Sequence, residues 1–77
     1  QQQRFYQQLL ADLNLTPRQF QVLELIARGL DNSEIGEQLH IGGATVKSHI
    51  NHLFRALHVS NRKQCVEQAL RCGLLST

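Results

Sequence analysis

Apolar residues recur at helical spacing along most of this 77-residue chain, and residues that start or stop helices mark off each stretch. The clearest stretch runs from Ala44 to Leu57. Val46, Ile50, Leu53 and Leu57 fall on one side of it, and Lys47, Ser48, Asn51 and Arg55 on the other. Upstream, Asp31-Asn32-Ser33-Glu34 reads as a capping box opening a short helix, with Ile35 and Leu39 inward and Gly42-Gly43 as the turn that follows. Earlier still, Thr16-Pro17-Arg18-Gln19 sets a threonine cap, a proline at the first helical position and a glutamine at the third. Phe20, Leu23, Ile26 and Ala27 form the expected inward face of that helix, and Gly29 ends it. A last helix is predicted from Ser60 or Asn61 to about Cys72, closed by Gly73. At the front, Phe5, Leu9, Leu10 and Leu13 stand at helical intervals in a glutamine-rich background, as in a linker helix or a tail between domains. No strand pattern or internal repeat is present. The predicted fold is all-α: a four-helix (tetrahelical) helix-turn-helix bundle over residues 15–77, with an N-terminal helical extension over 1–14.

Length allows one small domain with a limited core. No apolar run approaches the roughly 18 residues of a membrane span, and no signal-peptide pattern is present. Cys65 and Cys72, seven apart on one predicted helix, would have Cα atoms about 10 Å apart. That is beyond an intramolecular bridge, so reduced, cytoplasmic thiols are expected. The chain contains no methionine, so a fragment or processed product that has lost a partner domain is expected.

Charge distribution adds more than net charge, which is only +2. The six acids are Asp12, Glu24, Asp31, Glu34, Glu37 and Glu67, and none lies between Gln38 and Val66. That same segment holds Lys47, Arg55, Arg62 and Lys63, together with His49, His52 and His58. A solvated helix face usually mixes charge signs. Four cations in a segment free of carboxylates suit a phosphate backbone instead. The Ala44–Leu57 helix is then the second, groove-entering helix of a helix-turn-helix. Asn51 can pair bidentately with adenine, and Arg55, a turn further on, is better placed for phosphate. His49 and His52 have a two-ligand spacing, but no nearby carboxylate or cysteine completes a metal site, and no cofactor is expected. No nucleophile–base pair, carboxylate dyad or phosphate-binding glycine loop points to an enzyme.

A set of residues together resembles the LuxR-type (LuxR/NarL/FixJ) helix-turn-helix domain. It comprises Leu15-Thr16-Pro17-Arg18, Val22-Leu23, Ala27-Arg28-Gly29-Leu30, Asn32, Glu34-Ile35, Leu39, Ile41, Thr45-Val46-Lys47, His49, Leu57, Val59 and Asn61-Arg62. The resemblance covers about residues 15–75. It implies a tetrahelical effector domain of a bacterial transcription regulator, binding double-stranded DNA as a homodimer, with a receiver or ligand-sensing domain upstream. RNA polymerase is a candidate further partner. Positions matching Lys47, Ser48 and Asn51 would reach base edges. Thr45, Arg62 and Lys63 would touch phosphates; Arg55 joins these backbone contacts by its own position on the helix, where phosphate or solvent is nearer than a base. Val66 and Leu70 on the last helix would form the dimer surface.

Departures from the family pattern concern affinity more than fold. Gln19 replaces a glutamate, Ser33 a frequent basic residue, Gly42 a serine cap, and Ala56 a frequent lysine. The residues alone also leave the last helix open: its apolar stripe of Cys65, Val66, Ala69, Leu70 and Cys72 could pack wholly on the first helix or share one edge with a second subunit. Two other functions fit parts of the pattern. A protein-interaction module on this fold would fit the missing cations at Ser33 and Ala56. A sigma region-four-like module shares the T-V-K segment but usually ends before a helix like Asn61–Gly73.

Overall fold

The computed structural model describes the backbone of residues 2–76 and the side chains of residues 7–76. Five helices follow one another: α1 (Gln2–Asp12), α2 (Pro17–Ala27), α3 (Asn32–Leu39), α4 (Gly43–Leu57) and α5 (Arg62–Cys72), with no strand among the described residues. This is the predicted bundle of four helices preceded by a helical extension. The side chain of Phe5, counted in the pattern of that extension, lies outside the described residues, as do Gln1 and Thr77.

Local hydrogen bonds set where the helices begin. Thr16 accepts from the Gln19 N–H at 3.2 Å, and the Thr16 N–H donates to Gln19 Oε1 at 2.9 Å. Asp31 and Glu34 exchange the same pair at 2.8 and 2.9 Å. Asn61 caps α5 through the Gln64 N–H, and Gln64 Oε1 accepts from the Ser60 N–H. At Gly42 no side chain caps α4.

The helix ends share a second device. After α1, α2, α3 and α4 the chain turns through a left-handed residue: Asn14 (φ 60°), Gly29 (90°), His40 (58°) and His58 (57°). In each case the next residue is aliphatic, and its N–H reaches back five residues: Leu15 to Leu10, Leu30 to Leu25, Ile41 to Gly36, Val59 to Phe54. This is the Schellman arrangement, which satisfies carbonyls a helix end leaves open.

The core is built from Val22, Leu23, Leu25 and Ile26 of α2, Ile35 of α3, Val46, Ile50, Leu53 and Leu57 of α4, and Cys65 and Ala69 of α5, closed by Leu10, Leu15 and Leu74. The inward face predicted for α2 needs correction, because Ala27 is exposed and Phe20 only half-buried, whereas Val22 and Leu25 are buried. The reason is position. α2 packs against α3, α4 and α5 at once, so its buried arc is wider than a single stripe. Gly36 is also buried. A Cβ at that position would stand 2.8 Å from the Ile41 carbonyl oxygen, so glycine permits the close return of the chain between α3 and α4.

Candidate nucleic-acid interface

α4 places its two kinds of residue on opposite sides. Its four aliphatic residues are buried, while Thr45, Lys47, Ser48, Asn51 and Arg55 are exposed. α3 and α5 both pack along α4, which holds the helix by its apolar side and leaves the polar side outward. Lys47, Ser48, Asn51 and Arg55 line one shallow groove together with Ala44, His52 and Gln19 of α2. On the other flank, Lys47 and Asn51 share a groove with Asn32 of α3 and Arg62 and Lys63 of α5, floored by Ile50 and Phe54. Lys47 and Asn51 thus sit on the ridge between two grooves, and the structure brings together all the predicted DNA-contacting residues except Thr45, which lies one turn back on the same helix. No carboxylate lines either groove.

Two side chains at the grooves are held by partners far along the chain. Arg62, expected at a phosphate, is half-buried. Its Nη1 donates to the Leu30 carbonyl at 2.9 Å, and its Nη2 donates to Asn32 Oδ1. His52 is also half-buried, and its Nε2 meets the Asn14 carbonyl oxygen at 2.9 Å. A carbonyl only accepts, so His52 carries a proton on Nε2 and ties the α1–α2 turn to α4. Lys63, next to Arg62, is exposed and has no protein partner among the described residues.

Gln19 and Asn32 border the two grooves, and sequence reasoning gave neither a place there. Gln19 was legible as a cap, and it is one, but nothing local shows that α2 packs with that residue against α4. On α5, Cys65 and Ala69 are buried, Val66 is half-buried, and Leu70 is 38% exposed, so the apolar stripe runs from the core to the surface. Burial pushes the Cys65 thiol up to about 11, against a smaller opposing pull from the Arg62 charge. Among the described residues no three His, Cys, Asp or Glu side chains gather as a metal site would require, and no helix is long and apolar enough to cross a membrane.

Comparison with known proteins places the fold in a family. The chain is 44% identical over 55 residues to the HTH-type transcriptional regulator MalT of Vibrio cholerae serotype O1, a match that covers 71% of this chain and 6% of that protein. It is 39% identical over 64 residues to the MalT of Yersinia pestis, covering 83% of this chain and 7% of that protein. The chain therefore spans only a small part of the length of these relatives. Among solved structures it is similar to the transcription factor GerE (TM-score 0.74, 37% identity, 80% of this chain and 92% of that one). It is also similar to the response regulator ChrA of a heme-sensing two-component system (TM-score 0.76, 32% identity, 78% of this chain and 30% of that one). The profile of the family described as "Bacterial regulatory proteins, luxR family" matches residues 13–69, and the chain belongs to that family, as a helix-turn-helix DNA-binding domain of transcription regulators.

Proposed function

We propose that this domain binds a two-fold related DNA site as a dimer, with α4 in the major groove. The observation that carries the reading is the exposed stripe of Lys47, Ser48, Asn51 and Arg55 on α4, backed by four buried aliphatic residues and bordered by no carboxylate. In this reading Lys47, Ser48 and Asn51 meet base edges, the step that distinguishes sequences. Thr45, Arg55 and Lys63 meet phosphates, and the two cations among them supply affinity that falls with salt. Arg62 is not counted with them, because its guanidinium is engaged by Leu30 and Asn32. Val66 and Leu70 form the contact with a second copy, supported by the exposure of Leu70 beside the half-buried Val66. A sensory domain stands upstream in the full-length protein, a receiver like that of a response regulator being one form. The similarity to ChrA supports it.

Selection from a pool of random duplexes, at two salt concentrations, tests the proposal. A short inverted repeat should be enriched by the unaltered chain and lost when Lys47 and Asn51 are both alanine. Absence of both enrichment and salt-sensitive binding would leave the protein-interaction reading in its place.

A further inference from the structure

Arg62 opens α5, and its start is held firmly. Asn61 caps the helix, and Gln64 reaches back to the Ser60 N–H from the same turn. From this base the guanidinium extends to two acceptors 32 and 30 residues away in sequence. One is the Leu30 carbonyl in the α2–α3 turn, just past the left-handed Gly29. The other is the side chain of Asn32, the first residue of α3. Asn32 in turn borders the groove that also contains Lys47, Asn51 and Lys63.

We propose that Arg62 is a positioning residue for DNA reading: it locks the α2–α3 turn and Asn32 to the start of α5, and so sets the wall of the groove beside Lys47 and Asn51. The proposal rests on the DNA-binding reading above. Two observations and one point of chemistry support it. The side chain is half-buried, whereas Lys63 beside it is exposed and unpartnered among the described residues. Its two nitrogens bind two different groups on two successive structural units, the turn and α3. The planar fork of arginine can hold both acceptors in fixed directions, which a lysine ammonium on its flexible stem cannot. Adjacent cations at the head of α5 therefore have different tasks: Lys63 is free to meet a phosphate, and Arg62 fixes the frame.

Arg62→Lys separates the two tasks, because it preserves charge and removes the fork. Binding of the selected duplex and of an unrelated duplex is measured across a salt series, at a temperature where circular dichroism shows each variant folded. Arg62→Lys should lose about tenfold in affinity for the selected duplex, as expected for breaking a coupled network. Its affinity for the unrelated duplex and the slope of log affinity against log salt should stay as they were. Asn32→Ala should give a similar loss, and the double variant should be little worse than either single one. Lys63→Ala should instead lower the salt slope by about one and weaken both duplexes alike.

Full retention of affinity by Arg62→Lys, with a lower slope in Arg62→Ala, would make Arg62 a phosphate contact and overturn the proposal. A lowered melting temperature with unchanged affinity in the folded variants would overturn it as well, leaving a role in stability alone. If the unaltered chain binds no duplex in a salt-dependent way, the DNA-binding reading fails first, an outcome distinct from either of these.

Discussion

α4 and α5 are both amphipathic and lay their apolar edges into the same core, yet their outward sides have little in common. α4 buries Val46, Ile50, Leu53 and Leu57 and shows Lys47, Ser48, Asn51 and Arg55, with no carboxylate on the helix. α5 buries Cys65 and Ala69 and shows Lys63, Glu67 and Arg71 around the exposed Leu70. A polyanion is matched by donors and cations of one sign. A protein surface is matched by an apolar centre with a mixed polar rim. Helical periodicity is the same in the two helices. The residues left over after the core is satisfied are what distinguish them.

The strongest way to break this comparison is to remove what both helices share. Leu53 is fully buried at the centre of α4, and Leu53→Ala should cost about 2–5 kcal/mol. In a domain whose total stability is on the order of 5–15 kcal/mol, that is a large fraction, read as a lower urea midpoint. DNA binding and self-association should be lost together, at the lower urea concentration where the variant unfolds.

Changes on the outward sides should fail separately. Asn51→Ala should cost about 1–3 kcal/mol in binding of the selected duplex, the worth of one bidentate base contact, with sedimentation and melting unchanged. Leu70→Glu should abolish self-association in sedimentation, leaving the circular dichroism spectrum and the salt-dependent DNA binding of the monomer intact. If Leu70→Glu unfolds the chain instead, α5 is core on both edges and the contrast drawn above is wrong.

A pH titration separates the buried edge of α5 from its surface. The Cys65 thiol is held neutral by burial, its pKa raised from 9.0 to about 11. Below about pH 9 the thiol is protonated in both folded and unfolded chains, so it adds no pH dependence. Above that, the unfolded chain loses the proton first, and unfolding is favoured by up to about 1.4 kcal/mol per pH unit until the folded pKa is reached. The stability difference between the unaltered chain and Cys65→Ala should shift in this window and be flat below it. A flat difference at high pH would mean that the thiol is reached by water.

What was legible in the sequence was local. The two capping boxes, the four inward residues of α4 and the glycine after α2 each depend on residues three to seven apart, and all stand as read. Ala27 was misread because its burial depends on how many helices surround α2, which periodicity does not report. The contacts of Arg62 and His52 were out of its reach for a related reason. Their partners lie 30 to 38 residues away, and nothing beside them in the chain marks the contact. The candidate interface was therefore visible as the stripe on α4, while the parts of its frame supplied by α2, α3 and α5 were not. One signal shows only in the backbone: a left-handed residue followed by an aliphatic one ends the helix at Asn14-Leu15, His40-Ile41 and His58-Val59 as it does at Gly29-Leu30, and residue type announces it only at the glycine.

That signal gives a smaller test. A side chain in the left-handed region costs about 1–2 kcal/mol, which glycine avoids, less the greater freedom glycine has when unfolded. His58→Gly at the end of α4 should therefore stabilise the domain by about 0.5–1 kcal/mol, read as a higher melting temperature. Gly73→Ala at the end of α5, where φ is 90°, should do the opposite.

The smallest expected effect lies at the other end of α4. Gly42 occupies the cap position in an extended conformation (φ −74°, ψ 162°) that any residue adopts, and no atom lies within 4 Å of where its Cβ would stand. A serine there has room to accept a hydrogen bond from the first turn, whose N–H groups have no side-chain cap. Gly42→Ser should stabilise by only a few tenths of a kcal/mol, because glycine is itself a tolerable cap. For a domain of this size that is a rise of about 1–3 °C in melting temperature. The sign matters more than the size. A serine that stabilises the free domain yet weakens DNA binding would show that the open amides at the start of α4 serve the nucleic acid, and that glycine at the cap keeps them available.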